Sequence, residues 1–232
     1  MANSLHGEII MTWGALITDI YGNPWTTPDA TPMSLVQKIV LNPASSGSYV
    51  LPVNSSAPFL VACQATANNV IFWINKSGAN YTLSYCVAAS AASPGTVTIY
   101  IFGYVIPQPL PKWGIAIWNA VGQCIITNET KVMTPPVGFG TVGSPTDIGY
   151  LIDKTVAGKF AVIPRVMGIA AGVIHDGGAT RPWTSPIDTL CYYNGATSRI
   201  SAGQRLAADG SIQNLSYSNS RDLIYAIDVS RY

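Results

Sequence analysis

The stretch that decides the fold is WGALITDIYGN at residues 13–23, which returns as WGIAIWNAVGQ at residues 113–123. The Trp, the first Gly, one Ile and the second Gly match in place, and Asp19 stands opposite Asn119. Each copy is typical of a short apolar strand followed by a turn, in which Gly22 or Gly122 permits a positive φ angle. The repetition therefore predicts a β-module that occurs twice.

Weaker matches follow the first in the same order along the chain. GSYVLP at residues 47–52 is similar to GKFAVIP at 158–164, TLSY at 82–85 to TLCY at 189–192, and IY at 99–100 to IY at 224–225. The offset grows from 100 to 125 residues, as it should if the second copy has longer loops.

Prolines punctuate the boundary between the copies at 107, 109 and 111. Alternating prolines favour an extended, semi-rigid spacer. We therefore predict two tandem modules, residues 1–106 and 112–232, joined by a linker at 107–111. A single domain of more than 200 residues is the alternative.

Short runs of Val, Ile, Tyr and Phe, separated by Gly, Pro, Asn and Ser, predict strands throughout the chain. In the first half these are residues 14–19, 37–41, 47–53, 59–65, 70–75, 81–88 and 96–105. One weak helix candidate lies at residues 31–36. About seven short strands in each module predict an all-β fold of two antiparallel β-sandwiches from an internal duplication.

Charge is scarce and unevenly distributed. Hydrophobic residues make up 48% of the 232 residues and charged residues only 10%, against about 25% in a typical domain. The 12 basic and 11 acidic residues nearly cancel, which argues against nucleic-acid binding. Five charges lie in residues 1–111 and 18 in residues 112–232. This predicts a first module that packs against other subunits, unless neutral polar groups keep its surface hydrated.

The segment after each Trp-Gly pair resembles the opening of small β-sandwich proteins of tailed bacteriophages, which are encoded among tail-tip and tail-fibre genes. Those proteins similarly begin with Gly, an apolar strand, Asn, a small residue, Gly and a second apolar stretch. This chain departs from them in Pro24 and in its double module. The resemblance implies a structural protein of the virion tail, assembled in several copies, and it carries over no catalytic residue.

Catalytic and metal-binding patterns are weak. His175 and Asp176 are the candidates for a small cell-surface hydrolase, but a polar loop is the simpler interpretation, and no G-x-S-x-G motif accompanies them. The spacing of Cys63, Cys86, Cys124 and Cys191 fits neither a zinc site nor a CxxC pair. A Cys63–Cys86 disulfide is one option, and reduced core thiols are the favoured one. We predict no catalytic residue, no metal and no cofactor.

Aromatic residues near polar loops are the candidates for a binding surface. Trp and Tyr stack on sugar faces and anchor protein interfaces, which singles out Trp25, Trp183, Tyr192 and Tyr193. Arg181, two residues before Trp183, is included with them. Packing in a core or an interface is the alternative for Trp183 and Tyr192. The long segments at residues 134–146 and 201–220 are also expected to contact a partner.

These features predict a non-enzymatic tail protein, located at the tail tip or fibre attachment region, that assembles with itself and with other tail proteins. The alternative is a module that binds a host receptor or glycan. The N-terminus has no basic start followed by an apolar core, and no run approaches the ~20 residues of a membrane helix. We therefore expect synthesis in the host cytoplasm without a signal peptide and no membrane insertion.

Overall fold

The computed structural model describes residues 31–176 and 178–232, together with the strand segments Ile17–Thr18 and Pro24–Thr26. The predicted all-β class is confirmed. The first eight strands are β1 (Ile17–Thr18), β2 (Pro24–Thr26), β3 (Ser34–Leu41), β4 (Gly47–Val50), β5 (Phe59–Ala65), β6 (Val70–Ser77), β7 (Asn80–Val87) and β8 (Val97–Gly103). The next ten are β9 (Ala116–Trp118), β10 (Cys124–Thr127), β11 (Val137–Phe139), β12 (Asp153–Ala157), β13 (Phe160–Val162), β14 (Val166–Asp176), β15 (Ala179–Tyr193), β16 (Thr197–Gln204), β17 (Ile212–Asn219) and β18 (Ile224–Asp228). A 3₁₀ turn at Gly149–Leu151 precedes β12.

Contacts divide the chain into two units. The smaller unit is Met1–Met33 with Val105–Thr130, and the larger unit is Ser34–Tyr104 with Lys131–Tyr232. Twelve strands of the larger unit form two layers, in the orders β3-β8-β5-β13-β18-β11 and β4-β7-β6-β15-β16-β12. A parallel bridge between Ala65 and Tyr192 links the layers, and β14 and β17 extend from β15.

The core of the larger unit follows from the period of two in its strands. Val97, Ile99 and Ile101 of β8 pack between the layers with Phe72 and Leu83. The alternate residues Tyr100 and Phe102 pack in a second cluster with Ala161 and Ile227. Every residue of β8 is buried, which confirms the prediction that this strand is covered on both faces.

The two halves of the larger unit, Ser34–Tyr104 and Lys131–Tyr232, have the same order of strand pairing. In the first half β8 pairs with β3 and β5, and in the second β18 pairs with β11 and β13. Likewise β7 joins β6 to β4, and β16 joins β15 to β12. The halves meet through the antiparallel pairs Cys63–Val162 and Ile71–Leu190.

The predicted division into modules 1–106 and 112–232 is corrected by this arrangement. Strands of both halves share one core, because β5 and β6 hydrogen-bond directly to β13 and β15. Residues 107–111 do not form a free spacer but belong to the smaller unit. The amide N–H of Gln108 donates to the carbonyl of Cys124 at 2.8 Å, and the Gln108 side chain donates to the carbonyl of Val105.

The repeated opening segments form hairpins of equal register. Ile17 pairs with Thr26 and Thr18 with Pro24, whereas one hundred residues later Ile117 pairs with Ile126 and Trp118 with Cys124. Both hairpins have a register shift at the same place. Gly122 has φ +79°, as the turn requires, whereas Gly22 lies outside the described residues.

The predicted strands from residue 37 to residue 105 are confirmed, with ends that differ by a few residues. The strand predicted at residues 14–19 is described only at Ile17–Thr18. The helix candidate at residues 31–36 is wrong, because β3 begins at Ser34 and pairs with β8. The segments 134–146 and 201–220 are not wholly loops, since they contain β11 and all of β17. No helix in the described part of the chain is long and apolar enough to cross a membrane.

Candidate functional site

The predicted binding residues do not converge on one site. Arg181, Trp183, Tyr192 and Tyr193 all lie on β15. Nine residues separate Trp183 from Tyr192, which is about 30 Å along an extended strand. Trp25 lies in β2, and its side chain is outside the described residues.

Each end of β15 has its own surroundings. Trp183 is half-buried and pairs with Gly172, next to the exposed Arg181. At the other end the Tyr193 hydroxyl donates to the carbonyl of Gly195 at 2.7 Å, and the Lys159 ammonium lies 5.8 Å from its ring centroid. These contacts fix Tyr193 in its own turn rather than aiming it at a shared cleft.

A pocket of about 500 Å³ lies where the two predicted contact segments meet. That volume falls in the range of about 300–1,000 Å³ in which proteins bind small molecules. The first segment contributes the turn at residues 142–145, and the second brings in the end of β17. The pocket is lined by Val142, Gly143, Ser144, Pro145, Ile148, Tyr150, Leu151, Asn219 and Arg221.

Asn219 holds the frame of this pocket together. Its side-chain amide donates to the carbonyl of Ile148 at 2.9 Å, and its side-chain oxygen accepts the backbone N–H of Arg221 at 2.8 Å. Gly149 is required beside it, because a Cβ there would lie 1.5 Å from the Asn219 oxygen and the backbone has φ +62°. The 3₁₀ turn and the residues after β17 are therefore tied into one surface.

The acidic side chains beside the pocket are already paired. Asp147 forms an ion pair with Lys154 at 2.9 Å and accepts a hydrogen bond from Thr141 at 2.8 Å. These bonds, that from Lys154 first, lower the pKa of Asp147. Asp222 pairs with Arg165. The exposed Arg221 guanidinium makes no hydrogen bond or ion pair with the residues that the structure describes, so it remains available to an outside anion.

A second exposed feature is the segment at residues 110–127, which we call the apolar hairpin. It carries large side chains that are half or more exposed: Leu110, Trp113, Ile115, Trp118 and Val121. Trp113 is 81% exposed and Val121 78%. Exposed apolar side chains grouped in this way are typical of interaction sites.

The backbone of the apolar hairpin is well determined by hydrogen bonds. The Asn119 side-chain oxygen accepts the N–H groups of Val121 and Gln123. The Asn128 side-chain oxygen accepts the N–H of Ile115 at 3.1 Å. Gly114 has φ +129°, and a Cβ there would lie 2.0 Å from that same oxygen. This close approach explains the Gly of the second Trp-Gly pair.

The hydrolase candidates do not form a catalytic arrangement that the structure can assign. His175 is exposed, and its Nδ1 lies 2.8 Å from the Thr180 hydroxyl on the paired strand. The side chain of Asp176 is outside the described residues. Among the described residues, no group of three or more His, Cys, Asp or Glu side chains is placed to hold a metal ion.

All four cysteines are free thiols, which rules out the Cys63–Cys86 disulfide in this structure and confirms the favoured alternative for the three buried ones. Burial raises the pKa of Cys63 well above its ordinary value, and it raises the pKa of Cys191 to about 12. Burial and the charge of Asp188 raise the pKa of the half-buried Cys86. These three thiols are therefore protonated and poorly nucleophilic at neutral pH.

A buried ion pair lies in the layer that contains β6, β15 and β16. Asp188 is fully buried and accepts two hydrogen bonds from Arg205, whose guanidinium carbon stands 4.2 Å from the centroid of the Trp73 ring. Burial raises the pKa of Asp188, although the bonds from Arg205 oppose this. The pair joins β15 to the residue that follows β16, and the Trp73 ring of β6 lies against the guanidinium.

Sequence reasoning located both contact segments but missed Arg221 and Tyr150, because nothing in their local pattern marks them. The two residues come together only through the packing of β17 and the turn that follows it against the 3₁₀ turn. Comparisons with protein-family models, curated proteins and solved structures gave no match.

Proposed function

We propose that this chain is a non-enzymatic structural component of a bacteriophage tail, at the tail tip or fibre attachment region, that assembles in several copies. The observation that carries the proposal is the apolar hairpin. Its exposed Trp and Val side chains leave apolar surface in water, and burying such surface is the main driving force of association. The resemblance of the Trp-Gly segments to phage tail proteins supplies the setting.

The hairpin is suited to assembly because its backbone is fixed before any partner binds. Asn119 and Asn128 hold the turn and the strand entry through side-chain hydrogen bonds. A preorganised surface loses little conformational entropy on binding. Trp is also the residue type most enriched among the anchors of protein interfaces. The occupant we propose is a second copy of this chain, and other tail proteins would complete the assembly.

The equal pairing order in the two halves supports an origin by internal duplication, which we propose as part of this account. Corresponding strands β8 and β18 occupy the centres of equivalent three-stranded groups. The two opening hairpins have equal registers at an offset of 100 residues.

The tail assignment is tested on purified virions of the phage that encodes the chain. Mass spectrometry should find the chain in intact particles, and gold-labelled antibodies should mark one end of the tail in electron micrographs. Antibodies against a capsid protein provide the control for labelling. Absence from particles that contain every other tail protein would contradict the proposal.

A further inference from the structure

We propose that the pocket beside Arg221 binds a small cyclic carboxylic acid, with its carboxylate on Arg221 and the C–H face of its ring on the apolar wall. This binding site goes beyond the structural role proposed above and does not depend on it. The evidence is the cavity, the chemistry of its remaining hydrogen-bond capacity and the charges around it.

Two side chains at the pocket, Ser144 and Arg221, have hydrogen atoms left to donate. The Ser144 hydroxyl oxygen already accepts the N–H groups of Thr146 and Asp147 at 3.2 and 3.0 Å, which leaves its hydrogen to donate. Both polar ends of the Asn219 amide are used by the frame. The Arg221 guanidinium adds several N–H donors and no acceptor. A set of donors around a cation selects an oxyanion.

A carboxylate fits the Arg221 fork in particular. Guanidinium and carboxylate groups form two parallel hydrogen bonds, which gives both strength and a fixed orientation. The nearby acids cannot take this place, because Asp147 and Asp222 are paired with Lys154 and Arg165. Arg221 is thus a cation beside a cavity whose own acidic neighbours are occupied.

The backbone conformation of Arg221 also supports a binding role. Its φ is +57°, a conformation that favours Gly or Asn over long side chains. The turn alone would therefore select a different residue. Strained residues of this kind cluster at binding and catalytic sites, and here the strain coincides with a charge that has no partner among the described residues.

The other wall of the pocket is apolar. Leu151 and Val142 are exposed, and the half-buried Tyr150 lies over Gly168, where a Cβ would be 2.6 Å from its ring. A ring with a carboxylate at one end and C–H groups on one face would contact both walls.

The test is an NMR titration of the full chain with cyclohexanecarboxylate, in parallel with cyclohexanol, acetate and inorganic phosphate. We expect cyclohexanecarboxylate to shift the signals of Tyr150, Leu151 and Arg221, and to bind at least tenfold more tightly than the other three compounds. Equal binding of cyclohexanol would show that Arg221 does not hold the carboxylate. Equal binding of acetate would show that the ring does not contact the apolar wall, and equal binding of phosphate would leave a site for anions in general. Each of these results overturns the proposal, as does the absence of any shift.

Arg221→Asn is the decisive variant, because Asn accepts a positive φ and the backbone should be retained. Loss of a charge-assisted hydrogen-bond pair should weaken cyclohexanecarboxylate binding about tenfold to a hundredfold. Arg231→Asn, at another exposed arginine, is the matched control and should bind as the wild type does. If Arg221→Asn fails to fold, Arg221→Gly replaces it. Unchanged binding in a folded Arg221 variant contradicts the proposal, and this result is independent of whether the chain assembles.

Discussion

Phe72, Leu83 and Ile99 in the larger unit are fully buried, whereas Trp113 and Val121 in the smaller unit expose 81% and 78% of their surface. Both regions are β-structure, and both are rich in apolar residues. The difference is that the larger unit has two layers of strands up to 15 residues long to enclose its side chains. The strands of the apolar hairpin are three and four residues long. The apolar side chains therefore form a core in the larger unit and an exposed surface in the apolar hairpin.

Truncating one side chain in each region should give the largest difference in the free energy of unfolding. Phe72→Ala leaves a cavity between the layers, and we expect it to lower the free energy of unfolding by about 3–5 kcal/mol. Trp113→Ala should change it by less than about 0.5 kcal/mol in dilute solution, because the side chain is exposed. Urea denaturation followed by circular dichroism measures both. A loss of several kcal/mol in Trp113→Ala would mean that the hairpin is part of a core.

A polar atom inside the second cluster gives a finer test of burial. The Tyr100 hydroxyl is buried and has no hydrogen-bond partner among the described residues, and burial raises the pKa of Tyr100. Removing an unsatisfied group relieves its desolvation cost, so Tyr100→Phe should stabilise the fold by about 1 kcal/mol.

The neighbouring Tyr232 provides the control for this prediction. Its hydroxyl donates to the carbonyl of Val132 and accepts the N–H of Thr134 at 2.7 Å. Tyr232→Phe should therefore destabilise the fold by about 1–3 kcal/mol. A loss of stability of the same size in Tyr100→Phe would show that an ordered water satisfies the Tyr100 hydroxyl.

Surface charge in the larger unit should have the smallest effect. Hydrogen bonds from Arg199, followed by its charge, lower the pKa of Asp153. The ionised form is thus favoured in the folded state. Its contribution is present above the unfolded value, near 3.8, and is lost as the pH falls through the lower folded value. Because Asp153 is half exposed, we expect only a few tenths of a kcal/mol.

Thermal melts from pH 6 to pH 2 should show a flatter decline for Asp153→Asn than for the wild type. High salt should reduce the difference between them at pH 6, since it screens an exposed pair. A difference that grows as the pH falls would have the wrong sign for a carboxyl whose pKa is lowered.

The sequence was sufficient for the β class and for most strands of the first half, because alternating apolar residues and Gly or Pro turns are local signals. It also located the hairpin repeat, whose registers agree at Ile17 and Ile117. Two of the weaker matches join strands with different places in the pairing order: GSYV of β4 was compared with β13 and TLSY of β7 with β15, whereas β12 and β16 pair as β4 and β7 do. The third match, IY of β8 with IY of β18, agrees with the pairing order. Strands with similar alternation are hard to distinguish without their partners.

The division into units and the pocket depended on contacts that no local pattern encodes. The pairs Cys63–Val162 and Ile71–Leu190 merge the two halves, although each strand alone is compatible with separate modules. Trp183 and Tyr193 were singled out by residue type, but one long strand holds them far apart. Arg221 was overlooked because its availability depends on ion pairs between other residues. The neighbouring acids Asp147 and Asp222 are already paired with Lys154 and Arg165.

The central claim, that the apolar hairpin is an assembly surface for copies of this chain, is tested most directly by sedimentation velocity over a range of concentrations. We expect the wild type to form oligomers that dissociate on dilution. The variant with Trp113, Ile115 and Val121 all changed to Ser should remain monomeric at the same concentrations, and its thermal stability should equal that of the wild type in dilute solution, where both are monomers. Val142→Ser, at an equally exposed position of the larger unit, should associate as the wild type does. A wild-type chain that stays monomeric throughout, or a triple variant that associates normally, would contradict the account.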